Sequence, residues 1–378
     1  MKKIIYGLLL SINTLPLLAH AASPYFSYKE GDGFKRFSVS AGWLHAAPQG
    51  NANPLNNRTA AQNGTYKVGD VQIDAVTSSI AQTAQGDAAK KKLMDTVNLG
   101  TQIGLIKNNT LTEQMSGSTT INSLENWTSP NTGLEADSVD TLGLLFNYYF
   151  TDHWSVEVKA GVPPTVDIKG QGQVSAPLSG IARPKGELPP GFINNIANEL
   201  INNIGDIPLD TQIPITNLAQ GSTAATARAW LPAAEIQYQF GRSGINKFRP
   251  YIGAGLIYGH FDKIKLNSGI ENDLVSAGHR IQNILDNKAG AALDGKISTA
   301  DPRVKVEASD TYAPIVTLGA TYDFNTNWYA VGSISYAKMN TDIKISVTDN
   351  HTGKDLINAS TKLDIDPVIT YMGIGYRF

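Results

Sequence analysis

The chain ends in a stretch that alternates between two kinds of side chain, residues 363–378 with the sequence LDIDPVITYMGIGYRF. Counted back from Phe378 in steps of two, the residues are mostly apolar or aromatic, and the residues between them are mostly small or polar. A period of two is typical of a β-strand with unlike faces. A soluble antiparallel sheet also alternates, but the aromatic residues Tyr376 and Phe378 at the very end favour the closing strand of an outer-membrane β-barrel.

Composition restricts the function classes. Only 17% of the 378 residues are charged and the net charge is −2, so no nucleic-acid partner is expected. The chain has no cysteine, which excludes disulfides and thiolate metal sites. Because neither a nucleotide-binding motif nor a metal-ligand spacing of histidines and carboxylates occurs, we expect no cofactor and no metal.

The first 21 residues have the pattern of a signal peptide. Lys2 and Lys3 precede an apolar run over residues 4–18, and residues 19–21 form an Ala-x-Ala cleavage site. The alternative, an N-terminal membrane anchor, would need a longer apolar run. We therefore predict export, a mature protein over residues 22–378, and location in the outer membrane of a Gram-negative bacterium.

Seven further segments alternate in the same way as the terminal stretch. They are residues 34–46, 141–150, 154–162, 229–240, 248–258, 316–324 and 328–336. With the last segment they predict an all-β fold, a closed eight-stranded antiparallel transmembrane barrel. Short connections alternate with long ones, as periplasmic turns alternate with extracellular loops in such barrels.

The long connections are predicted to be extracellular loops that contain short helices. Three large insertions span about residues 48–138, 169–223 and 262–311, and a shorter loop spans about residues 348–360. Apolar spacing predicts helices near residues 79–97, 192–204 and 270–285. The pair Asn63-Gly64 suggests a hairpin turn in the first insertion.

Two features inside the predicted barrel could carry function. Pro163 and Pro164 interrupt the third strand, because proline donates no ladder hydrogen bond. Two interpretations follow: either the strand ends there, or the barrel wall opens there. On inward positions, Glu157, Lys159 and Glu235 with Arg249 form a predicted polar network, which either plugs the lumen or is simply a satisfied polar core.

Several stretches resemble the OmpW family of small outer-membrane barrels, which includes alkane-uptake relatives. They are KFRPYIGAG at residues 247–255, Asn327-Trp328, Asp366-Pro367 and the terminal residues 375–378, with residues 142–163 aligning as well. The resemblance implies that small hydrophobic molecules enter from outside and leave sideways into the membrane. In that picture Pro163 corresponds to the family's proline that helps to open the wall.

The chain departs from this family at the expected constriction of the lumen. Lys159 and Ser335 occupy positions where apolar side chains are expected. The apolar path would then be lined instead by five other inward residues, Leu44, Leu145, Tyr149, Tyr251 and Ile257. The insertions are also longer than the usual loops of the family.

Three hypotheses for function follow. The first is a passive channel for small hydrophobic molecules, and the second is a surface interaction or adhesion protein whose barrel displays the long loops. A lipid-modifying enzyme, the third, is disfavoured because no motif joins His45 or His260 to a nucleophile. Expected partners are outer-membrane lipid and lipopolysaccharide, a small hydrophobic substrate, and the barrel-assembly machinery through the C-terminal strand. The oligomeric state is not set by the sequence.

Overall fold

A computed structural model describes residue 25, residues 30–31 and residues 33–378 of the protein. The predicted signal peptide lies outside the described residues. In chain order the elements are β1 (Phe37–Ala47), β2 (Leu55–Thr59), β3 (Gly64–Lys67), β4 (Val71–Gln72), α1 (Ile73–Ser79), α2 (Ala84–Gln102), β5 (Thr110–Leu111), α3 (Glu113–Ser116), β6 (Ser118–Asn122), β7 (Asn126–Ser129), β8 (Gly133–Ala136), β9 (Val139–Tyr149), β10 (Trp154–Gly161), β11 (Thr165–Gln171), β12 (Gln173–Arg183), α4 (Phe192–Asn202), β13 (Ile207–Asn217), β14 (Ala225–Trp230), β15 (Ala233–Gln239), β16 (Phe248–Leu266), α5 (Ser268–Leu285), α6 (Ala289–Leu293), β17 (Pro302–Ala308), β18 (Thr311–Asp323), β19 (Trp328–Ala337), β20 (Asn340–Asp349), β21 (Asp355–Asp364) and β22 (Val368–Arg377).

Eight of the described strands close into an antiparallel barrel. Their order around the wall is β15, β10, β9, β1, β22, β19, β18 and β16, and the β15–β16 pairing completes the circle. The terminal strand β22 lies between β1 and β19, with Tyr376 opposite Val39 on one side and opposite Trp328 on the other. The predicted eight-stranded barrel is thus confirmed, although β16 continues eight residues beyond its predicted end at residue 258.

The two faces of the barrel differ as the alternation predicts. Outward side chains such as Leu256, Leu318 and Met372 are at least 60% exposed in the isolated chain, which is the surface that lipid would cover. Near the short turns these outward positions carry aromatic rings in mutual contact, for example Tyr376 with Phe378 at 5.1 Å between ring centroids. Such rings form the aromatic girdle of a membrane interface. Among the described helices, none combines the length and apolar character needed to cross a membrane.

The insertions fold into a unit that we call the outer module. It comprises all described elements other than the eight barrel strands, together with the far end of β16. One sheet, β8–β11–β14, pairs with that end of β16 and so continues the barrel wall outward. Two further sheets have the orders β17–β20–β21–β2–β7 and β13–β12–β6–β3, and α5 contacts strands of both.

The helices of the outer module lie close to their predicted positions. The predicted helix at residues 79–97 is observed as α2, which begins later because Thr83 caps it, its hydroxyl oxygen accepting from Gly86 N at 3.1 Å. Helices α4 and α5 begin within two residues of their predicted starts.

The strands of the outer module were not anticipated. The hairpin predicted at Asn63-Gly64 is wrong, because β2 pairs with β7 and β21 whereas β3 pairs with β6. The loop expected over residues 348–360 is a tight turn in a hairpin, and β21 begins at Asp355. Their pairing partners come from insertions far away in the chain, which local alternation does not specify.

Candidate functional site

The hydrogen-bond ladder of the barrel wall is interrupted where β10 and β15 separate. Their pairing ends at Lys159 opposite Ala233. Beyond this point the β10 side continues through Pro163 and Pro164, which have no N–H to offer a partner strand. Pairing with the opposite side resumes only where Ala229 N donates to Pro164 O at 3.0 Å, above which β11 and β14 pair. We call the gap between these two points the wall opening.

The opposite edge of the wall opening is also formed by residues outside the ladder. The segment joining β14 to β15 contains Leu231 and Pro232, and Pro232 likewise has no N–H. Its carbonyl accepts from Tyr258 N at 2.9 Å, so this segment remains attached to β16. On the other side, Val162 N donates to Leu142 O at 3.0 Å, which keeps that edge attached to β9. Both edges are therefore fixed to the wall, and the gap between them is a defined feature of the fold.

Behind the wall opening lies an apolar cavity of about 250 Å³, which we call the window cavity. Lys159 is the one charged side chain among the described residues that line it. Its inner wall is formed by six aliphatic side chains from the outer half of the lumen, Leu44, Ala46, Val139, Ile257, Ile315 and Ile369. The prolines of both edges also line the cavity, so it borders the wall opening.

The floor of the window cavity is a buried polar cluster, here called the lysine cluster. Lys159 Nζ lies 2.6 Å from Glu235 Oε1 and 3.7 Å from Glu157 Oε1. The same ammonium donates to Thr317 Oγ1 at 2.8 Å and to Ser335 Oγ at 2.9 Å. All five residues are buried, and they come from four strands of the barrel, β10, β15, β18 and β19. An ammonium held by this many acceptors is costly to displace, so the cluster separates the window cavity from the lumen below.

Below the lysine cluster the lumen is filled by tyrosines and ion pairs. Tyr251 and Tyr329 are buried, and each ring packs directly on a glycine of a neighbouring strand. A Cβ added to Gly319 would lie 2.3 Å from Tyr251 Cζ, and a Cβ added to Gly375 would lie 2.2 Å from Tyr329 Cζ. Eight strands leave a lumen only wide enough for side chains, and glycines at these positions provide the room that the rings need.

Two buried ion pairs complete the periplasmic half of the lumen. Arg249 and Asp152 lie 3.0 Å apart, and both side chains are almost completely inaccessible to solvent. The Arg377 guanidinium lies 2.7 Å from Asp323 Oδ1 and 4.2 Å from the ring centroid of Tyr329. We call these two ion pairs, together with the buried Leu145, Tyr149, Tyr251 and Tyr329, the periplasmic plug.

The predicted path residues divide between the two halves of the lumen. Leu44, Lys159 and Ile257 line the window cavity together with Pro163 and Pro164. Ser335 lies in its floor as a partner of Lys159. The other three predicted path residues belong to the periplasmic plug: Leu145, Tyr149 and Tyr251. Of these, Leu145 is opposite Lys159 and so lies level with the lysine cluster.

The predicted polar network is two separate groups. Glu157, Lys159 and Glu235 meet in the lysine cluster. Arg249 instead forms an ion pair with Asp152. Arg249 lies at the periplasmic end of β16, and Glu235 is opposite Gly255, six residues farther along that strand, so the two side chains do not meet. The interpretation as a single network was therefore wrong for Arg249. The pairing register, which the alternation does not fix, determines which inward charges meet.

Several residues of the wall opening were missed. Pro232 could have been found from the sequence, because it interrupts an alternating segment just as Pro163 does. The aliphatic residues at positions 46, 139, 315 and 369 could not, since they meet only after the barrel closes.

Two smaller apolar cavities lie in the outer module. The middle cavity, of about 80 Å³, shares Ala46, Val139, Ala229 and Leu231 with the window cavity. The outer cavity, of about 90 Å³, lies against α5 and α6. Helix α5 contributes Ile270 to the lining of the middle cavity and residues 277, 281 and 284 to that of the outer cavity. Among the described residues, no three histidine or carboxylate side chains cluster as they would around a metal ion.

Part of this chain matches the model of one known protein family. The model of the OmpW family matches residues 292–378, which include β18, β19 and β22. Outer membrane protein W of Vibrio cholerae serotype O1 is 24% identical over 245 residues, which are 65% of this chain and 76% of that protein.

Solved structures of outer-membrane proteins are similar over most of their length. OprG from Pseudomonas aeruginosa has a TM-score of 0.44 and 14% identity, with 91% of this chain and 96% of OprG covered. The E. coli Outer Membrane Protein W has a TM-score of 0.30 and 16% identity, with 93% of this chain and all of that protein covered.

Proposed function

We propose, from the premise that this chain is an outer-membrane β-barrel of the OmpW family, that it is a passive channel for small hydrophobic molecules. They enter from the extracellular side and leave sideways, through the wall opening at Pro163 and Pro164, into the membrane. The observation that carries the proposal is the window cavity, which is apolar, borders the wall opening and has the lysine cluster as its floor.

The direction of exit follows from the two boundaries of the window cavity. Passage to the periplasm would bring an apolar molecule past the lysine cluster and the periplasmic plug, whose buried charges cannot give up their partners cheaply. Passage through the wall opening leads from an apolar cavity into hydrocarbon. Each methylene is more stable in either apolar environment than in water by about 0.8 kcal/mol, and this route never returns the molecule to water. The energetically open exit is therefore lateral.

In this proposal, hydrophobic molecules from outside reach the window cavity by way of the middle cavity. It shares four lining residues with the window cavity and is bounded by Ile270 of α5 on its outer side. A molecule that enters the outer module can thus remain in apolar surroundings until it reaches the wall opening. Transport of this kind proceeds by diffusion and involves no chemical step.

A reversible block of the window cavity tests the proposal. The chain has no native cysteine, so Leu231→Cys can be labelled selectively with a bulky aromatic methanethiosulfonate reagent. Uptake of hydrophobic compounds of graded size, measured in cells, should fall to that of cells without the protein and recover when reductant removes the label. Lys305→Cys, labelled on exposed β17 of the outer module, is the control and should not change uptake. Unchanged uptake after complete labelling of Leu231→Cys would exclude the lateral route.

A second candidate function, surface interaction or adhesion, is favoured by one observation. Helix α4 presents Phe192 and Ile193 to solvent, with 84% and 56% of their surfaces exposed, beside the half-exposed Ile196. Exposed apolar patches commonly mark interaction sites. Replacing Phe192 and Ile193 by serine should abolish surface binding without altering uptake, whereas labelling Leu231→Cys should have the reverse effect.

A further inference from the structure

The outer cavity has a lining that is apolar except for a few groups near its edge. It lies between α5, α6 and strands of two sheets, and its walls are mostly Val, Ile, Leu and Ala. Arg280 is the one charged side chain among its described lining residues. Arg280 remains partly exposed to solvent, so its guanidinium lies where the cavity meets the surface of the outer module.

The guanidinium of Arg280 is held in place but is not neutralised. Its Nη1 donates to Ala292 O at 2.7 Å and to Leu293 O at 3.1 Å, which fixes the plane of the group. Among the described residues, no carboxylate oxygen lies within 4 Å of it. The nearby Asp294 is already engaged, with Gln72 N at 3.0 Å and Lys296 Nζ at 3.1 Å.

The electrostatic state of Arg280 agrees with this geometry. Burial lowers the pKa of Arg280, and the attraction of Asp294 only partly offsets that effect. A partly buried cation without a paired anion retains a desolvation cost that an incoming anion would relieve. The fork of a guanidinium matches a carboxylate, and Nη2 and Nε are not used by the carbonyl contacts.

The remaining polar groups of the outer cavity also leave a donor free. The indole N–H of Trp127 is buried and has no hydrogen-bond partner, and an indole nitrogen can only donate. The two threonine hydroxyls of the lining are occupied, since Thr59 donates to Leu124 O at 2.7 Å and Thr119 donates to Thr120 O at 3.2 Å. The lining therefore offers unused donors to a ligand that brings acceptor oxygens.

We propose that the outer cavity binds a small carboxylate with a compact apolar body, with the carboxylate on Arg280 and the body against Ile281 and Ile284. The cavity of about 90 Å³ is smaller than the apolar cavity of about 150 Å³ that takes benzene, so it encloses a short chain or only part of a ring, and the rest of the ligand lies at the cavity edge beside Arg280. This inference goes beyond the proposed channel and does not rest on it.

The test compares two ligands of similar shape that differ in charge. Full-length protein in detergent micelles is titrated calorimetrically with benzoate and with benzyl alcohol. We expect benzoate to bind at least about tenfold more tightly, which corresponds to one charge-assisted contact. In Arg280→Met this preference should vanish while benzyl alcohol still binds. The control Arg303→Met removes an exposed arginine from β17 and should retain the preference.

Further variants keep the proposal falsifiable if Arg280→Met folds poorly. Arg280→Lys should keep a preference for benzoate, and Ile281→Trp, which fills the cavity, should lose both ligands. Equal affinity of the wild type for the two ligands, or a preference that survives in Arg280→Met, would overturn the proposal. If the wild type binds benzoate more tightly than benzyl alcohol but labelling of Leu231→Cys leaves uptake unchanged, the proposed channel is rejected and the carboxylate site is retained.

Discussion

The two halves of the barrel lumen are built from the same alternating strands but have opposite chemistry. In the periplasmic half, Arg249 and Arg377 are paired with a buried and a largely buried carboxylate, respectively, beneath closely packed tyrosines. In the extracellular half, aliphatic side chains such as Ile257 and Ile315 surround a cavity that reaches an opening in the wall. The difference means that polar groups fill one half of the lumen, whereas in the other half an apolar cavity borders a gap in the strand pairing. The lysine cluster at Lys159 is the boundary between the two halves.

The largest expected effect comes from removing a charge from the periplasmic plug. Arg249→Leu leaves Asp152 buried without its guanidinium partner, and breaking a buried pair in this way costs about 3–5 kcal/mol. The free energy of unfolding, measured by urea denaturation in lipid vesicles, should fall by that amount. Arg303→Leu, at an exposed position of the outer module, should change it little. A loss below about 1 kcal/mol, the range of exposed pairs, would mean that the plug is solvated.

Two truncations of aliphatic side chains distinguish the halves by function. Ile315→Ala in the window cavity and Leu145→Ala in the periplasmic plug should each destabilise the protein by about 2–5 kcal/mol, because both side chains are fully buried. Only Ile315→Ala enlarges the window cavity, so only this variant should admit larger hydrophobic compounds in an uptake assay. Equal changes in size selectivity for the two variants would place the path along the barrel axis.

The prolines of the wall opening should affect transport more than stability. Replacing Pro163, Pro164 and Pro232 by alanine restores three N–H donors and lets the edges approach, so uptake should fall. The free energy of unfolding should decrease by only about 0.4–1 kcal/mol per proline, mainly through the unfolded chain. As a control, Pro302→Ala alters a proline at the start of β17 and should leave uptake unchanged. Undiminished uptake by the triple variant would show that the prolines do not keep the wall open.

The smallest effect is expected in the outer module, where the Asp349 carboxylate is held mainly by neutral donors and the His351 imidazole lies 3.8 Å away. Asp349 accepts from Thr352 Oγ1 at 2.6 Å and from Asp301 N at 2.9 Å, and these bonds lower its pKa to about 2. Since the unfolded carboxyl has a higher pKa, near 4, this stabilisation is complete above pH 4. It is lost as the pH falls towards 2.

In Asp349→Asn, the midpoint temperature of thermal unfolding should therefore decrease less than in the wild type as the pH falls from about 4 to about 2. Asp355→Asn, which removes an equal charge from the exposed start of β21, is the matched control. A decrease that is identical in wild type and Asp349→Asn would exclude this carboxylate as its source.

Much of the barrel was predictable because the alternation of side chains within each strand identifies its two faces. Residues 141–150 and 154–162 predict β9 and β10 within two residues at each end, since a lipid face and a lumen face impose strict alternation. Pro163 and Pro164 marked one edge of the wall opening for an equally local reason, the missing N–H donors. The outer module was less predictable because its strands pair across insertions, as β2 does with β21.

The sequence by itself determined that the chain forms eight alternating strands, where they turn, and that the third is interrupted by prolines. These properties depend on each residue's own side chain and backbone. Only the tertiary structure decided that Lys159 meets Glu235 and that Arg249 meets Asp152. It also placed Pro163 and Pro232 in the lining of one cavity and Arg280 in the lining of another. Those contacts depend on strand register and barrel closure, which are set by pairings between distant segments of the chain.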